Sequence, residues 1–150
     1  MSVPEHPVPE SPAAAGPDRP ASVGPVGGPA ASSPDVHPRG VPGALDAVTA
    51  EATAWEGVST TTGDRGEWSF RLGRREIGHL HGDRVLHLAF PKAVWHELHE
   101  AGRITFHPVF PGRVGWAARA IHDEADVRDV VALLRINYDR ERERHPRAAA

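Results

Sequence analysis

The sequence predicts a single small α+β domain, an antiparallel sheet with helices packed on one face, preceded by a disordered tail rich in Pro, Gly and Ala. Three observations carry this reading. Met1 to Gly43 hold 11 of the 15 prolines and no Leu, Ile, Phe, Trp or Tyr, too little apolar surface to offset the entropy of ordering a chain. All four tryptophans and all four phenylalanines lie beyond that stretch. From Ala44 onward the apolar period switches between three-to-four and two, in the order helix, four strands, helix, two strands, helix. The expected divisions are a disordered tail over 1–43, a domain over 44–144 and a disordered end over 145–150. A segment of about 100 residues can bury one modest core.

The first helix runs from Leu45 to Trp55, where Leu45, Val48, Ala52 and Trp55 recur on one face. Gly57 stops it. Val58–Thr62 is β-branched and suits a strand. Gly63-Asp64-Arg65-Gly66 is a turn. Trp68, Phe70 and Leu72 alternate with polar residues, giving a second strand with one buried face. Glu76–His81 and Val85–Phe90 form a hairpin about Gly82-Asp83-Arg84. Pro91 opens a second helix, where its missing N–H costs nothing; Val94, Trp95 and Leu98 form its apolar stripe, and Gly102 ends it. Ile104–Phe110 and Trp116–Ile121 read as two short strands around Pro111-Gly112-Arg113. Asp123 caps the last helix, Asp126 lies near its positive end, and Val127, Val130, Val131, Leu134 and Tyr138 form its buried face. Its charged end, Arg140 to Arg144, is expected to fray, and Asp126 and Asp129 to be solvated.

Composition narrows the function. Formal charge is -3, which opposes a nucleic-acid binder relying on a basic field. The tail lacks the charged start and apolar run of a secretion signal, and no stretch approaches the ~20 apolar residues of a membrane span. Cysteine is absent, which removes thiolate nucleophiles and sulfur metal sites. A soluble, cytoplasmic protein acting on a small molecule, with neither nucleic acid nor membrane as partner, is the expectation.

The chemistry concentrates in the hairpin. Alternation puts His79 and His81 on one face of a strand. A three-residue loop sets Val85 opposite His81 and His87 opposite His79, so three imidazoles share that face. A slip of one residue would reverse this for His87. His107, before Pro108, can join from an extended segment. Glu76 has the wrong parity if its strand is regular. Such a cluster can bind a metal, move protons or hold a polar ligand. No metal is required by these residues; a divalent ion, if held, would sit on His79, His81 and His87. Arg71, Arg75 or Arg84 can supply positive charge to an anionic ligand, and Trp116 can line a pocket.

The stretch Arg75-Glu76-Ile77-Gly78-His79-Leu80-His81, then Leu86-His87-Leu88, Ala101-Gly102, His107-Pro108 and Leu134-Arg135 with Tyr138, resembles the bacterial "luciferase family" proteins, whose domain also occurs in the luciferase of bioluminescent fungi. That enzyme adds molecular oxygen to 3-hydroxyhispidin, a hydroxylated styrylpyrone. The resemblance implies an oxygenase-like oxidoreductase, or another acid–base enzyme, acting on a small enolic or aromatic molecule with oxygen as co-substrate and no further cofactor. His79, His81, Glu76, His87 and His107 would be catalytic, and Arg75, Arg84 and Trp116 would bind the ligand. The fungal enzyme's membrane-associated part has no counterpart in the Pro-rich tail. A non-catalytic ligand-binding or protein-interaction module is the competing reading, and a cavity among the histidines is what separates the two.

Overall fold

The computed structural model describes residues 39–146. The expectations for 1–38 and 147–150 lie outside them. The elements are α1 (Ala44–Thr53), β1 (Val58–Thr62), β2 (Trp68–Leu72), β3 (Arg75–His81), β4 (Val85–Ala89), α2 (Lys92–Glu100), β5 (Thr105–Phe106), β6 (Trp116–Ala120) and α3 (Glu124–Arg144). The order matches the periodicity. The six strands form one antiparallel sheet in the order β1-β2-β3-β4-β6-β5.

Alternation in the strands divides the sheet into two faces. Phe70, Leu72, Leu80, Leu86 and Leu88 point to one of them and are buried. There α1 and α3 pack on each other and on the sheet, adding Val48, Ala52, Val130, Leu133 and Leu134 to the core. Trp95 of α2 closes this core beside Phe106, with its indole N–H donated to the Trp116 carbonyl at 2.9 Å. Among the described residues no helix packs on the opposite face, which presents Ser69, His79, His81 and His87.

Two expectations are corrected. The segment expected as a strand over Ile104–Phe110 pairs with β6 only through Thr105 and Phe106. Pro108 offers no N–H, and the chain turns instead, with Phe110 N–H donating to the His107 carbonyl at 2.9 Å. Residues 107–115 thereby become a loop over the helix-free face. The end of α3 does not fray: Arg142 donates to the Tyr138 hydroxyl at 3.2 Å and stacks on its ring. Asp126 and Asp129 are likewise not free surface charges. Both bind the Arg119 guanidinium, at 2.6 and 3.2 Å, and Asp129 also pairs with Arg103 at 2.6 Å. Asp123 caps α3 as expected, accepting from Asp126 N–H at 2.8 Å.

Residues just before α1 are tied to the hairpin. The Asp83 carboxylate accepts from Gly43 N–H at 3.2 Å and Leu45 N–H at 2.8 Å, and its carbonyl accepts from Val41 N–H at 3.2 Å. The β3–β4 loop thus caps the helix from a distance, satisfying first-turn N–H groups and placing a negative charge at the positive end.

Candidate functional site

The hairpin register places the histidines. His79 lies opposite His87, Leu80 opposite Leu86 and His81 opposite Val85, as the three-residue loop requires. The ring centroids of His79, His81 and His87 lie 4.7–5.3 Å apart. His81 Nε2 and His87 Nδ1 are 3.1 Å apart. One ring nitrogen from each of the three lies within 4.8 Å of the others.

Glu76 reaches the same face because β3 is not regular. Phe70 pairs with Gly78 and Arg71 with Glu76, so Ile77 is an extra residue in β3. A β-bulge of this kind reverses the alternation beyond it. Glu76 therefore turns towards His79, and its Oε2 lies 3.2 Å from His79 Nδ1. Its Oε1 accepts from the Ser69 hydroxyl at 2.6 Å. The regular-strand assumption that left Glu76 on the wrong side is thus corrected. The bulge is secured from the core side: the Asn137 amide donates to the Ile77 carbonyl at 3.0 Å and the Ala89 carbonyl at 2.9 Å. Gly78 is needed beside it, since a Cβ there would lie 2.7 Å from Leu134 Cδ2.

His107 comes from the loop, its ring tilted against that of His87 with centroids 4.0 Å apart. Its Nδ1 accepts from Val109 N–H at 3.1 Å, so the neutral ring carries its proton on Nε2. Phe110 and Trp116 adjoin it, 5.1 Å apart. Between these groups is a pocket of about 200 Å³, lined by Glu76, His79, His87, His107 and Trp116 among others. His81 is not among the lining residues and lies behind His79 and His87.

Electrostatically the surroundings of His81, His87 and His107 favour their unprotonated rings. Burial first, then the neighbouring charges of His107, His81 and His79, brings His87 down to about 3. Burial likewise lowers His81 and His107, with other histidines of the group adding to the effect. Glu76 is lowered, chiefly by its hydrogen bond to His79 and against the effect of burial. His87 Nε2 is buried without a hydrogen-bond partner, a cost normally avoided in a folded protein.

The expected arginines do not join. Arg75 faces a separate hollow between the β2–β3 turn and the end of α3, 3.8 Å from Glu141. Arg84 belongs to the loop near Gly40. Arg71 donates to the Arg74 carbonyl in the β2–β3 turn. Trp116 does line the pocket and is 39% exposed rather than part of the core. Sequence reasoning missed Ser69, Phe110 and Asn137. A glycine within a strand, Gly78, was the available sign of a bulge.

Comparison with known proteins bears on this segment. Residues 74–137 match the family model of the Luciferase domain. That segment is similar to a Luciferase domain. The match runs from the turn before β3 to Asn137, so it takes in the hairpin, the histidine cluster, the covering loop and the residue that secures the bulge. No curated protein and no solved structure matches the chain. Among the described residues, no helix is long and apolar enough to cross a membrane.

Proposed function

We propose that the pocket binds a small enolic or phenolic molecule and stabilises the anion of its hydroxyl, preparing it for an oxygenase-like reaction. The observation that carries this is His107. The Val109 N–H fixes its tautomer, leaving an N–H donor on the wall of an aromatic-lined pocket. A donor held in place before the charge develops is what oxyanion stabilisation needs. Volume sets the scale: an apolar cavity of roughly 150 Å³ holds benzene, so about 200 Å³ suits one ring, or one end of a larger molecule. Trp116 supplies a planar wall, with Phe110 packed beside it. The hydroxyl proton leaves through unprotonated imidazoles to solvent, and the electron-rich carbon next to the anionic oxygen is the point at which molecular oxygen adds.

The test uses 4-nitrocatechol, whose colour reports its ionisation. The protein is expected to bind it as the anion at a pH where the free compound is still protonated. His107→Asn keeps an acceptor for Val109 N–H but presents no ring N–H. Loss of a hydrogen bond to a charged group costs about 1.5–3 kcal/mol, so this variant should bind the anion roughly 10–100-fold more weakly. Binding of the neutral form, or equal anion affinity in the variant, would refute the assignment.

A further inference from the structure

We propose that His79, His81 and His87 hold a divalent transition-metal ion, with Glu76 as the residue that positions His79. This deepens the anion-binding reading and rests on it only for the ion's purpose; its binding can be tested without a substrate.

Geometry carries the proposal. Three nitrogens from two paired strands lie within 4.8 Å of one another. The register that gathers them is that of a regular ladder, so their backbones are fixed by the fold rather than by a mobile loop. Two nitrogens on one ion at 2.0–2.1 Å, in tetrahedral geometry, lie about 3.3 Å apart. His81 Nε2 and His87 Nδ1 already stand at 3.1 Å. Facing ring nitrogens at this distance share either the N–H of one neutral ring or a metal ion. Half-exposed His79 closes the remaining distance by rotating its side chain.

The surroundings match a metal centre. Metal-ligating histidines usually give their other ring N–H to a carboxylate, which fixes the tautomer and aims the free lone pair. Glu76 does this for His79 and is itself held by Ser69. An all-imidazole set suits zinc, iron, nickel or copper rather than magnesium or calcium. His107 is excluded as a fourth protein ligand, because its Nδ1 lone pair is engaged by Val109 N–H. Coordination positions therefore stay open to water or a substrate oxygen. The ion also answers a need of the pocket. Glu76 is the charged group of its lining and no arginine is among the lining residues, so the ion would give an anion bound there a positive partner. With the ion held, the ring lone pairs are taken up by it, and the substrate proton passes directly to water.

The experiment is cobalt(II) binding to the untagged full chain by equilibrium dialysis, with the visible spectrum of the bound ion. About one ion per chain with a nitrogen-ligand spectrum is expected. His79→Gln and His81→Gln, shown by circular dichroism to be folded, should lose it. His96→Gln, on the surface of α2, should keep it. Glu76→Gln should bind roughly 10–100-fold more weakly, the usual cost of losing a carboxylate that orients a metal-bound histidine. Zinc should raise the melting temperature of the parent chain and leave that of His79→Gln unchanged. No retained cobalt, or equal retention in His79→Gln and His81→Gln, would overturn the proposal. The two readings separate cleanly. If 4-nitrocatechol binds as its anion to protein that holds no metal, the pocket reading stands and the metal proposal fails. If cobalt binds and 4-nitrocatechol does not, the reverse holds.

Discussion

His87 is where packing and charge meet most sharply. It lies in the sheet between His79, His81 and His107, and burial holds it neutral down to about 3. In the unfolded chain an exposed histidine titrates near 6.5. Between those values the unfolded chain takes up a proton that the folded one refuses, so stability rises with pH across the window. The contribution is fully present above about 6.5 and is lost as pH falls towards 3. Lowered His81 and His107 act in the same direction. Melting temperatures of chelator-treated protein should therefore fall steeply as pH drops through this range. His87→Asn should flatten the fall; an unchanged slope would show that other groups carry it. The residue types of the cluster were legible in the sequence because the loop length sets the register. The placement of Glu76 was not, because one extra residue in a strand changes side-chain direction without changing composition.

At the scale of elements, the site depends on an irregularity of β3 and on the helix behind it. Ile77 interrupts the ladder, and its carbonyl, with that of Ala89, is satisfied by the Asn137 amide. Asn137→Leu would leave both buried acceptors unpaired. At about 1–3 kcal/mol for such a group, a marked drop in melting temperature is expected, and cobalt affinity should fall with it because Glu76 loses its alignment. Unaltered stability in this variant would mean that the bulge is held by β2 alone. The strands and helices themselves were readable from periodicity. Thr105–Phe106 came out shorter than the apolar run suggested, since a run of apolar residues does not reveal that Pro108 and the turn after it will release the chain from β6. The same release puts His107, Phe110 and Trp116 together, and no local pattern announces that meeting.

Taken as a whole, the molecule joins its ends to its middle. Asp83, at the tip of the hairpin, binds backbone N–H groups of Val41, Gly43 and Leu45. The sequence placed 39–43 in the tail because of its Pro and Gly content; the structure docks it on the domain. Removing residues 1–43 should lower the melting temperature below that of a chain lacking only 1–38, and identical values for the two would show that these contacts contribute nothing. Tyr138 ties the other end, donating its hydroxyl to the Glu56 carbonyl at 2.7 Å.

Asn137 also orders events during synthesis. It lies 60 residues after Ile77. At about 5–20 residues per second, a ribosome needs roughly 3–12 s to make that stretch. For most of that interval, once His87 and Ala89 have been made, every histidine of the hairpin is present while the Asn137 amide that pairs with the Ile77 and Ala89 carbonyls is not. A chain released just before Asn137 would contain each ligand and the whole covering loop, yet lack the amide that secures the bulge aligning Glu76 with His79. The site is thus completed by nearly the last turns of the domain to leave the ribosome.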